Sequence, residues 1–475
     1  MDSILNEKLY IAGSFCEGKS NESFQIIDKY HQDEIASVKA CSEEQVYEAI
    51  AFSESAFEKY KSFSMKDRSE LLFDLAKSLK KHQREFSLLI SAEAGKPIDY
   101  ARVEVQRSID NIEIAARYAL NDLGETVNFP NESGLTGLIK RFPIGPVVGI
   151  SPFNFPLNLA LHKILPALVI GNPIILKPSP YAPLTLLSFC KLIHELGLPE
   201  GMLSVLMCDN DVASILVKED RIKLLSFTGS AEVGFKLKSM ARKKPVVLEL
   251  GGNAACVVDR DIDVSEVAKK VCHGSFLYAG QICISTQRVY VHHEVFEEFV
   301  EEFVEQTEKL KCSDPGLEGV VVGPLIDQTH FERVKEWVIE AVSEGAEILT
   351  GGYAIDEDRN IYAPTVLTNT SPDMKVVTEE VFGPVVCIEQ SDSFHGALDL
   401  VNDSRFGLQA GVFTDNIHKM KKAFELLDVG AVIMNNVPGF RIDHMPYGGI
   451  KDSGIGREGI AYAMEHMSER KLLVY

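Results

Sequence analysis

The stretch Val147-Val148-Gly149-Ile150-Ser151-Pro152-Phe153-Asn154 is a short apolar run that ends in a polar turn. Four more runs of this kind follow it at intervals: Ile174-Ile175-Leu176, Leu203-Ser204-Val205-Leu206, Leu224-Leu225-Ser226-Phe227 and Val246-Val247-Leu248. They do not alternate polar with apolar residues, which is typical of strands that are buried on both faces. Helix-length segments separate the runs, at 157–170, 183–196, 211–218 and 231–240. Five strands with four helices between them predict an α/β domain with a doubly wound parallel sheet.

The ends of these strands carry residues that can do chemistry. Asn154, Lys177, Ser230 and Glu249 each stand at or just after the end of a strand. Ligands of a doubly wound sheet bind at the carboxyl ends of its strands, so we expect these side chains to lie close together. Ser230 also begins a helix, where free backbone amides hold anions, although serine is an ordinary N-cap as well. No Gly-x-Gly-x-x-Gly follows the first strand, so a bound dinucleotide would be held by another device.

The flanking sequence predicts more structure on both sides of this domain. A second α/β domain is indicated by strands at 255–258 and 289–291 and by helices at 264–276 and 294–310. The first forty residues predict short antiparallel strands, and capped helices are predicted to follow Ser42 and Ser64. A helical pattern at 101–120 carries Arg102 and Arg107, whose simplest interpretation is solvated surface charge. The polar segment 121–137 predicts a connection or a hairpin, and the apolar tail 470–475 suggests pairing with another strand or subunit.

Composition limits the partners that the protein can have. The 48 basic and 69 acidic residues give a net charge of −21, which opposes nucleic acid and anionic membranes and favours a small-molecule ligand. No apolar run approaches the ~20 residues of a membrane span, and the N-terminus lacks the pattern of a signal peptide, so a cytoplasmic location is predicted. The nine cysteines are scattered, which indicates neither disulfides nor a metal site. The pair His292-His293 is interpreted as two solvated imidazoles on opposite faces of a strand.

A candidate nucleophile stands in Ala279-Gly280-Gln281-Ile282-Cys283-Ile284-Ser285-Thr286-Gln287-Arg288, where a thiol lies between small and polar residues just ahead of a strand. A lone cysteine is more often a small buried hydrophobe than a reagent. Glu249, however, ends an apolar strand and is followed by Gly251 and Gly252. A thiol together with a carboxylate that can activate water is the minimum set for forming and then hydrolysing an acyl intermediate.

Seven segments, taken together and in their order, resemble the aldehyde dehydrogenase superfamily. They are Pro152-Phe153-Asn154-Phe155-Pro156, Lys177-Pro178-Ser179, Phe227-Thr228-Gly229-Ser230, Glu249-Leu250-Gly251-Gly252, Gly280-Gln281-Ile282-Cys283, Glu379-Glu380-Val381-Phe382-Gly383-Pro384 and Pro446-Tyr447-Gly448-Gly449-Ile450-Lys451-Asp452-Ser453-Gly454. The resemblance extends over essentially the whole chain. It implies a Rossmann-like dinucleotide-binding domain at 1–117 and 140–251, an α/β catalytic domain at 252–448, and a small β oligomerisation element with the C-terminal tail at 118–139 and 449–475. It also implies a homodimer or a homotetramer.

The resemblance also implies roles for particular residues. Cys283 is the nucleophile, Asn154 and the Cys283 backbone amide form the oxyanion hole, and Glu249 is the general base. The cofactor-binding residues implied in the same way are Ser151, Pro152, Lys177, Ser179, Gly229, Ser230, Leu250, Glu380 and Phe382. Among them, Lys177 and Glu380 would hold the two riboses.

Two departures from the family's pattern bear on the choice of cofactor. The glutamate that usually stands three residues after the cofactor lysine is replaced by Pro180. This change removes a partner of the adenine ribose 2′-hydroxyl and also a source of repulsion toward a 2′-phosphate. The usual glycine-rich stretch is replaced by 207–211, in which Asp209 and Asp211 would repel a 2′-phosphate. The prediction is therefore NAD, with NADP as the alternative.

The substrate residues are implied by resemblance to a smaller group of relatives. The loop 440–447 resembles the loop that lines the substrate mouth in relatives acting on lactaldehyde, phosphonoacetaldehyde and sulfolactaldehyde. His162 lies on a helix on the tunnel side in the same group. Arg441, His444, His162 and Arg102 are therefore predicted to bind a small anionic or hydroxylated tail. A surface or capping role is the alternative for each of them.

The function that these residues predict is NAD-dependent oxidation of a small aldehyde to the free acid, through a thiohemiacetal and a thioester on Cys283. Glu249 favours hydrolysis over transfer of the acyl group to coenzyme A, because acylating relatives usually lack this carboxylate. Two alternatives stay open: a coenzyme A-acylating semialdehyde dehydrogenase, and a non-catalytic dinucleotide-binding protein on the same scaffold. The second alternative has no need for Asn154, Glu249 and Cys283 together.

Overall fold

The computed structural model describes residues 4–60, 63–121, 124–131 and 134–475. The prediction about a signal peptide and the predicted connection at 121–137 rest in part on residues 1–3, 122–123 and 132–133, which lie outside the described residues. The first elements, in chain order, are β1 (Leu9–Ile11), β2 (Ser14–Cys16), β3 (Ser23–Ile27), β4 (Glu34–Lys39), α1 (Glu43–Tyr60), α2 (Met65–Lys81), α3 (Gln83–Ala94), α4 (Ile98–Tyr118), β5 (Glu125–Asn128) and β6 (Thr136–Pro143). The predicted caps are present, because Ser42 bonds Gln45 and Ser64 bonds Asp67 across the starts of α1 and α2.

The middle of the chain forms the predicted doubly wound sheet. Its elements are β7 (Val147–Ile150), α5 (Asn158–Ile170), β8 (Ile174–Lys177), α6 (Leu184–Glu195), β9 (Leu203–Val205), α7 (Asn210–Lys218), β10 (Leu224–Thr228), α8 (Ala231–Met240) and β11 (Val246–Glu249). The strands β9, β8, β7, β10 and β11 are parallel and adjacent in that order, which confirms the prediction. Their carboxyl ends therefore meet along one edge of the sheet.

A second α/β layer follows, as predicted. Its elements are β12 (Ala255–Val258), α9 (Val264–Phe276), β13 (Arg288–His292), α10 (Phe296–Glu308), α11 (Gln328–Ser343), β14 (Glu347–Thr350), β15 (Ala354–Asp356), β16 (Ile361–Tyr362), β17 (Thr365–Thr368), α12 (Lys375–Thr378), β18 (Val385–Ser391), α13 (Phe394–Asn402), β19 (Phe406–Gly407), β20 (Gln409–Phe413), α14 (Ile417–Leu426) and β21 (Ala431–Met434). The sheet order is β14-β17-β18-β13-β12-β20-β21, and only β14 runs antiparallel to its neighbour.

The C-terminal segment contributes to more than one layer. Its elements are β22 (Ile450–Lys451), β23 (Gly454–Ile455), α15 (Ile460–His466) and β24 (Ser468–Val474). β23 pairs with β11 and extends the first sheet at one edge, while β1 and β2 extend it at the other. β24 pairs along its whole length with β6, and β5 completes this small antiparallel sheet. The apolar tail therefore pairs within its own chain, and the proposed domain boundaries stay a prediction.

The structure contradicts the prediction for His292 and His293. The His292 and His293 rings stack at 4.4 Å, and His292 is buried, so the interpretation of two solvated imidazoles on opposite faces is wrong. The physical reason is that β13 ends at His292 and the chain turns into a short 3₁₀ helix. Glu294 lies within reach of both rings, but its carboxylate accepts a hydrogen bond of 2.7 Å from Arg260.

Within the described ranges, no helix is both long and apolar enough to cross a membrane.

A buried ion pair forms between Lys96 and Glu104, and Glu104 links α4 to the start of α5. Lys96 contacts one carboxylate oxygen of Glu104. The other oxygen of Glu104 accepts hydrogen bonds from the backbone N–H groups of Leu157 and Asn158, at 3.0 and 3.2 Å. Burial lowers the pKa of Lys96 to about 8, against the opposing effect of Glu104. Because the turn after Asn154 leads directly into α5, this carboxylate fixes the position of one predicted site residue.

We expect Glu104→Ala to lower the free energy of unfolding by about 3–5 kcal/mol, because it leaves a buried lysine without its partner and two backbone donors unsatisfied. The measurement is the denaturation midpoint followed by circular dichroism and by Trp337 fluorescence. Glu70→Ala is the control, since Glu70 pairs with Lys66 only at the exposed surface and such pairs contribute little. Equal midpoints for the two variants would contradict the role given to Glu104.

Candidate active site

Two cavities meet at Cys283. The first has a volume of about 520 Å³ and lies at the carboxyl ends of the first sheet. Its lining includes all the residues predicted to bind the cofactor, namely Ser151, Pro152, Lys177, Ser179, Gly229, Ser230, Leu250, Glu380 and Phe382, together with Asn154 and Glu249. The second has a volume of about 290 Å³ and shares Cys283 and Leu159 with the first. A nucleophile at this junction can face a different ligand on each side.

A left-handed turn presents Cys283 to both cavities. Tyr278, Ala279 and Gly280 have φ values of 53°, 53° and 69°. This conformation costs roughly 1–2 kcal/mol for each residue that carries a Cβ. It is held in place because the Tyr278 hydroxyl donates to the Ala94 carbonyl at 2.6 Å, and because a Cβ on Gly280 would lie 2.1 Å from the Gly383 carbonyl oxygen. Strain of this kind persists where the surrounding structure fixes the backbone.

Gln281 and Asn154 tie this turn to the first sheet. The Gln281 side chain donates to the Pro324 carbonyl at 3.2 Å and accepts from the Ile326 backbone N–H at 3.0 Å. The Asn154 amide nitrogen donates to the Gln281 carbonyl at 2.9 Å. An amide NH₂ has two hydrogens, so the second N–H of Asn154 stays available in the first cavity. This arrangement is what an oxyanion hole next to Cys283 requires.

The Cys283 thiol lies in a mixed electrostatic environment. Its sulfur is 2.9 Å from the Tyr447 hydroxyl. The net effect is a thiol pKa raised to about 11: burial contributes most, the Tyr447 contact and Arg441 act to lower the pKa, and the carboxylates of Glu380 and Glu249 act to raise it. The thiol is therefore protonated at neutral pH in the absence of ligands.

Glu249 is a buried carboxylate without a hydrogen-bond partner among the described residues on either oxygen. Burial, followed by the nearby Glu458, raises its pKa well above the usual range, while Arg441 and Lys163 lower it. A Cβ on Gly448 would lie 2.7 Å from Glu249 Oε1, so glycine leaves the space around this carboxylate open. A buried carboxylate without a protein partner takes its hydrogen bonds from water or from a ligand.

Behind Glu249 lies a buried charge network. Glu458 accepts a hydrogen bond of 2.8 Å from Lys163, and its other oxygen is 3.6 Å from Arg441. Lys163 also donates to the Thr228 hydroxyl at 2.7 Å. Burial raises the pKa of Glu458, but Lys163, His162 and Arg441 outweigh burial and hold it at about 2. Glu458 therefore stays ionised, whereas the pKa of the neighbouring Glu249 is raised.

The first cavity has features that fit a dinucleotide. A Cβ on Gly251 would lie 2.2 Å from a carboxylate oxygen of Glu380, so only glycine lets this carboxylate enter the cavity wall. Burial raises the pKa of Glu380 to about 7. The Ser151 hydroxyl is buried and has no partner within the described part of the chain. Ser230 caps α8 through a bond to the Val233 N–H, which leaves the other first-turn amides free for an anion.

The second cavity is lined by cations and apolar groups. Lys96, Arg107 and Arg441 line it, and none of its described lining residues is an aspartate or a glutamate. Arg107 donates to both oxygens of Asp443, at 3.0 and 2.7 Å. The Nε–H of Arg441 is buried without a partner in the described structure. The cavity therefore offers the N–H donors of three cations to a ligand.

The four predicted substrate residues are not all brought together. Arg441 lines the second cavity, and His162 lies directly behind it, bonded to Asp443 at 2.9 Å. Burial and the nearby Arg441 lower the pKa of His162, against the opposing effect of Asp443. His444 is exposed outside the lining. Arg102 is 49% exposed and pairs with Asp99 and Glu318, so its predicted place in the substrate site is wrong.

Several residues of the site, among them Arg107, Lys163 and Tyr447, are not predicted by the sequence. The prediction for Arg107 is surface charge, yet its side chain is only 25% exposed and lines the second cavity. No role is predicted for Lys163 or for Tyr447, although Tyr447 stands in the segment 446–454 that resembles the family. A signal was present for Lys163, because it is a charged residue within the apolar helical run 157–170.

A third cavity, of about 570 Å³, lies on the second sheet beside the end of α13. Arg288, Glu389 and Arg405 are among its lining residues. It contains none of the predicted site residues and is separate from Cys283. Size alone therefore does not identify the site, whereas the convergence of nucleophile, carboxylate and amide does.

Comparison with known proteins gives a consistent result. The model of the aldehyde dehydrogenase family matches residues 15–473. The chain is 39% identical to the 3-sulfolactaldehyde dehydrogenase of Priestia aryabhattai, over 100% of this chain and 99% of that protein. It is 37% identical to the lactaldehyde dehydrogenase of Methanococcus maripaludis strain S2, over 97% and 99%. The structure of betaine aldehyde dehydrogenase from Staphylococcus aureus in complex with NAD⁺ superposes with a TM-score of 0.95, at 29% identity and over 99% and 94% of the two chains.

The raised pKa of Cys283 predicts how its alkylation depends on pH. Only the thiolate reacts, so the rate of carbamidomethylation at Cys283 should rise about tenfold for each pH unit between about pH 7 and about pH 10. The measurement is iodoacetamide incorporation into the Cys283 peptide by mass spectrometry, with N-acetylcysteine as the reference thiol. A rate that levels off below about pH 8 would contradict the buried, protonated thiol.

Proposed function

The chain belongs to the aldehyde dehydrogenase family and oxidises an aldehyde, and from this premise we propose that its substrate is a small aldehyde with an anionic or 2-hydroxy tail. The product is the free carboxylic acid, and NAD is the hydride acceptor. The observation that carries the proposal is the place of Cys283, between a cavity lined by dinucleotide-binding residues and a cavity lined by Lys96, Arg107 and Arg441.

The first chemical step joins the substrate to Cys283. The thiolate attacks the carbonyl carbon, a C–S bond forms, and the electron pair of the C=O double bond moves to oxygen. The free N–H of Asn154 and the backbone N–H of Cys283 stabilise this negative oxygen. Loss of one such donor typically costs ~10²-fold or more in rate. The residues that line the first cavity would hold NAD, which would supply a hydride acceptor when bound; loss of a hydride from the same carbon restores the C=O double bond and leaves a thioester on Cys283.

The second step releases the acid. Glu249 takes a proton from a water molecule while the water oxygen attacks the thioester carbon. The C–S bond breaks, and Cys283 leaves as a thiolate. Glu249 suits this role because both of its oxygens lack protein partners in the described structure and its pKa is raised, so that it accepts a proton readily.

The hydrolytic reaction is favoured over the two alternatives. Transfer of the acyl group to coenzyme A uses no water molecule and so needs no general base to activate one. Glu249 lines the same cavity as Cys283 and can act as that base, which favours hydrolysis. The non-catalytic alternative is set aside, because the chain belongs to a family of enzymes and keeps Cys283, Glu249 and Asn154 in one place.

NAD is favoured over NADP by the surroundings of Lys177. Burial lowers the pKa of Lys177, and the Asp209 carboxylate is close enough to raise it again. Asp209 also caps α7 through the Val212 N–H at 2.8 Å, so its position is fixed. A fixed negative charge near this lysine disfavours a 2′-phosphate. The complex of the Staphylococcus aureus relative with NAD⁺ agrees with this preference.

The tail of the substrate is inferred from the second cavity and from the relatives. The lining presents the N–H donors of three cations and, among its described residues, no carboxylate, which favours a tail with several acceptor oxygens. Two of the relatives are named for sulfolactaldehyde and lactaldehyde, which carry a sulfonate or a hydroxyl. Both tails can accept the hydrogen bonds that Arg441 and Arg107 can donate.

Assembly and location complete the proposal. The end of β24 and the residue that follows it expose apolar side chains, at Leu472, Leu473, Val474 and Tyr475. Contiguous apolar surface of this kind marks an interface, which supports a homodimer or a homotetramer. The cytoplasmic location stays a prediction.

Glu249→Gln should trap the thioester. The first half-reaction does not need the base, so we expect a burst of about one NADH per active site, followed by slow turnover. Rapid mixing with absorbance at the NADH band measures the burst, and mass spectrometry detects the acyl group on the Cys283 peptide. Coenzyme A added to the wild-type enzyme should not change the product.

Two outcomes would contradict this assignment. Full turnover of Glu249→Gln without acylated Cys283 would remove Glu249 as the base, and a coenzyme A thioester as the main product would favour the acylating alternative. The wild-type rate of acid release should also fall as the pH drops through the raised pKa of Glu249, because protonation removes the base. That decline should be absent from Glu249→Gln.

The substrate tail is tested by initial rates of NADH formation with sulfolactaldehyde, lactaldehyde, phosphonoacetaldehyde, succinic semialdehyde and propanal. Arg441→Gln should lower kcat/KM for the anionic aldehydes about 10- to 100-fold and should change propanal much less, because a charge-assisted hydrogen bond is lost. Arg102→Gln is the matched control, since Arg102 lies outside the cavity lining.

A uniform loss for all aldehydes in Arg441→Gln would mean that Arg441 supports the reacting centre and does not select the tail. An unchanged KM for the anionic aldehydes would remove the anion-binding role. A wild-type preference for propanal would keep the mechanism and overturn the proposed substrate class.

A further inference from the structure

The Tyr447 side chain contacts the Cys283 sulfur, but no step of the proposed reaction uses this side chain. It is buried, and its hydroxyl oxygen lies 2.9 Å from the sulfur. The backbone of Tyr447 exchanges two hydrogen bonds with Glu458, at 3.1 and 2.7 Å. The guanidinium of Arg441 lies over the ring at 3.7 Å from its centroid. The ring is therefore fixed from behind and from one face, with its hydroxyl aimed at the nucleophile.

The reactive form of Cys283 needs a donor of this kind. The charged groups that act on the sulfur are the carboxylates of Glu249 and Glu380, which oppose the thiolate, and the Arg441 guanidinium, which favours it. The Arg441 guanidinium stacks on the Tyr447 ring, and among the described contacts it makes no hydrogen bond to the sulfur. We propose that Tyr447 is a catalytic residue whose O–H donates a hydrogen bond to the Cys283 thiolate, and so increases the fraction of enzyme that can attack the aldehyde.

The direction of this hydrogen bond follows from the chemistry of the two groups. In the neutral pair, either the thiol or the hydroxyl could donate. Once Cys283 is ionised, the sulfur has no proton, and only Tyr447 can donate. Burial, followed by the charges of Cys283 and Glu249, raises the pKa of Tyr447 well above its usual value, so the hydroxyl keeps its proton. The proposal assigns Tyr447 a hydrogen bond and no proton transfer.

Arg441 gives this hydrogen bond a link to the substrate cavity. A cation over an aromatic face is attracted by its electrons, and it makes the phenol a stronger donor. The same side chain lines the second cavity. Tyr447 therefore lies between the group that meets the substrate tail and the sulfur that attacks the carbonyl.

The test measures the reactivity of Cys283 without aldehyde or dinucleotide. Tyr447→Phe should slow carbamidomethylation of the Cys283 peptide roughly three- to tenfold at each pH between about 7 and about 10. A charge-assisted hydrogen bond corresponds to about one pH unit or more in the thiol pKa, and the more basic thiolate regains part of the rate through its greater nucleophilicity. The smaller phenyl ring gives easier access, so a steric effect would have the opposite sign.

Tyr60→Phe is the matched control. Tyr60 is buried in the first core, and its hydroxyl donates to the Leu168 carbonyl at 3.4 Å, away from Cys283. This variant loses the same hydroxyl group and should alkylate at the wild-type rate. A second variant places 3,5-difluorotyrosine at position 447, which keeps the shape and strengthens the donor. The difluorotyrosine variant should accelerate alkylation of Cys283. It tests the proposal even if Tyr447→Phe does not fold.

The proposal rests on Cys283 as the nucleophile of the proposed function, but the two can fail separately. If no aldehyde is oxidised and Tyr447→Phe still slows alkylation, the hydrogen bond stands and the substrate class falls. Unchanged or faster alkylation in Tyr447→Phe, or slower alkylation with difluorotyrosine, would overturn the role of Tyr447. In turnover, kcat/KM of Tyr447→Phe should likewise fall several-fold between about pH 7 and about pH 10.

Discussion

The left-handed turn at Tyr278, Ala279 and Gly280 is the constraint on which the site depends. It is unfavourable for the first two residues and is held by contacts with three separate parts of the chain: the end of α3, the segment 321–326 and the loop at Gly383. If the turn relaxed, the Gln281 carbonyl would leave Asn154, and the sulfur of Cys283 would leave the Tyr447 hydroxyl. Packing between layers therefore provides the energy that positions the nucleophile.

A second unfavourable feature lies beside this turn. Glu249 is a buried carboxylate without a protein hydrogen bond in the described structure, which a core selected for stability alone would not retain. It is tolerated because Lys163 and Arg441 lie nearby and because Glu458 takes the direct ion pair with Lys163. The charge network thus keeps one carboxylate ionised and leaves the other poised to accept a proton, which is the division of roles that hydrolysis of a thioester requires.

The sequence was sufficient for the parts of the molecule that depend on local pattern. Buried parallel strands are continuous apolar runs, and their carboxyl ends form the ligand site, so the sheet, Asn154, Lys177 and Glu249 could be placed together. The addition of β23 to the first sheet could not be predicted, because two residues near the end of the chain carry no strand pattern. Arg102 and Arg107 show the limit most clearly. They are five positions apart, about 140° around a helix, and nothing in an amphipathic pattern says which one Asp443 will pair with.

The second cavity selects its ligand by geometry more than by net charge. Each of its three cations has a carboxylate behind it: Glu104 for Lys96, Asp443 for Arg107 and Glu458 for Arg441. The summed charge near the cavity is therefore close to zero, and a non-specific attraction for anions is weak. What remains is a set of N–H donors held in fixed directions by these carboxylates. A tail with several acceptor oxygens, such as a sulfonate or a carboxylate, can accept from such donors, whereas an alkyl tail leaves them without an acceptor. The enzyme would then discriminate against an alkyl tail because that tail leaves N–H donors without hydrogen-bond acceptors.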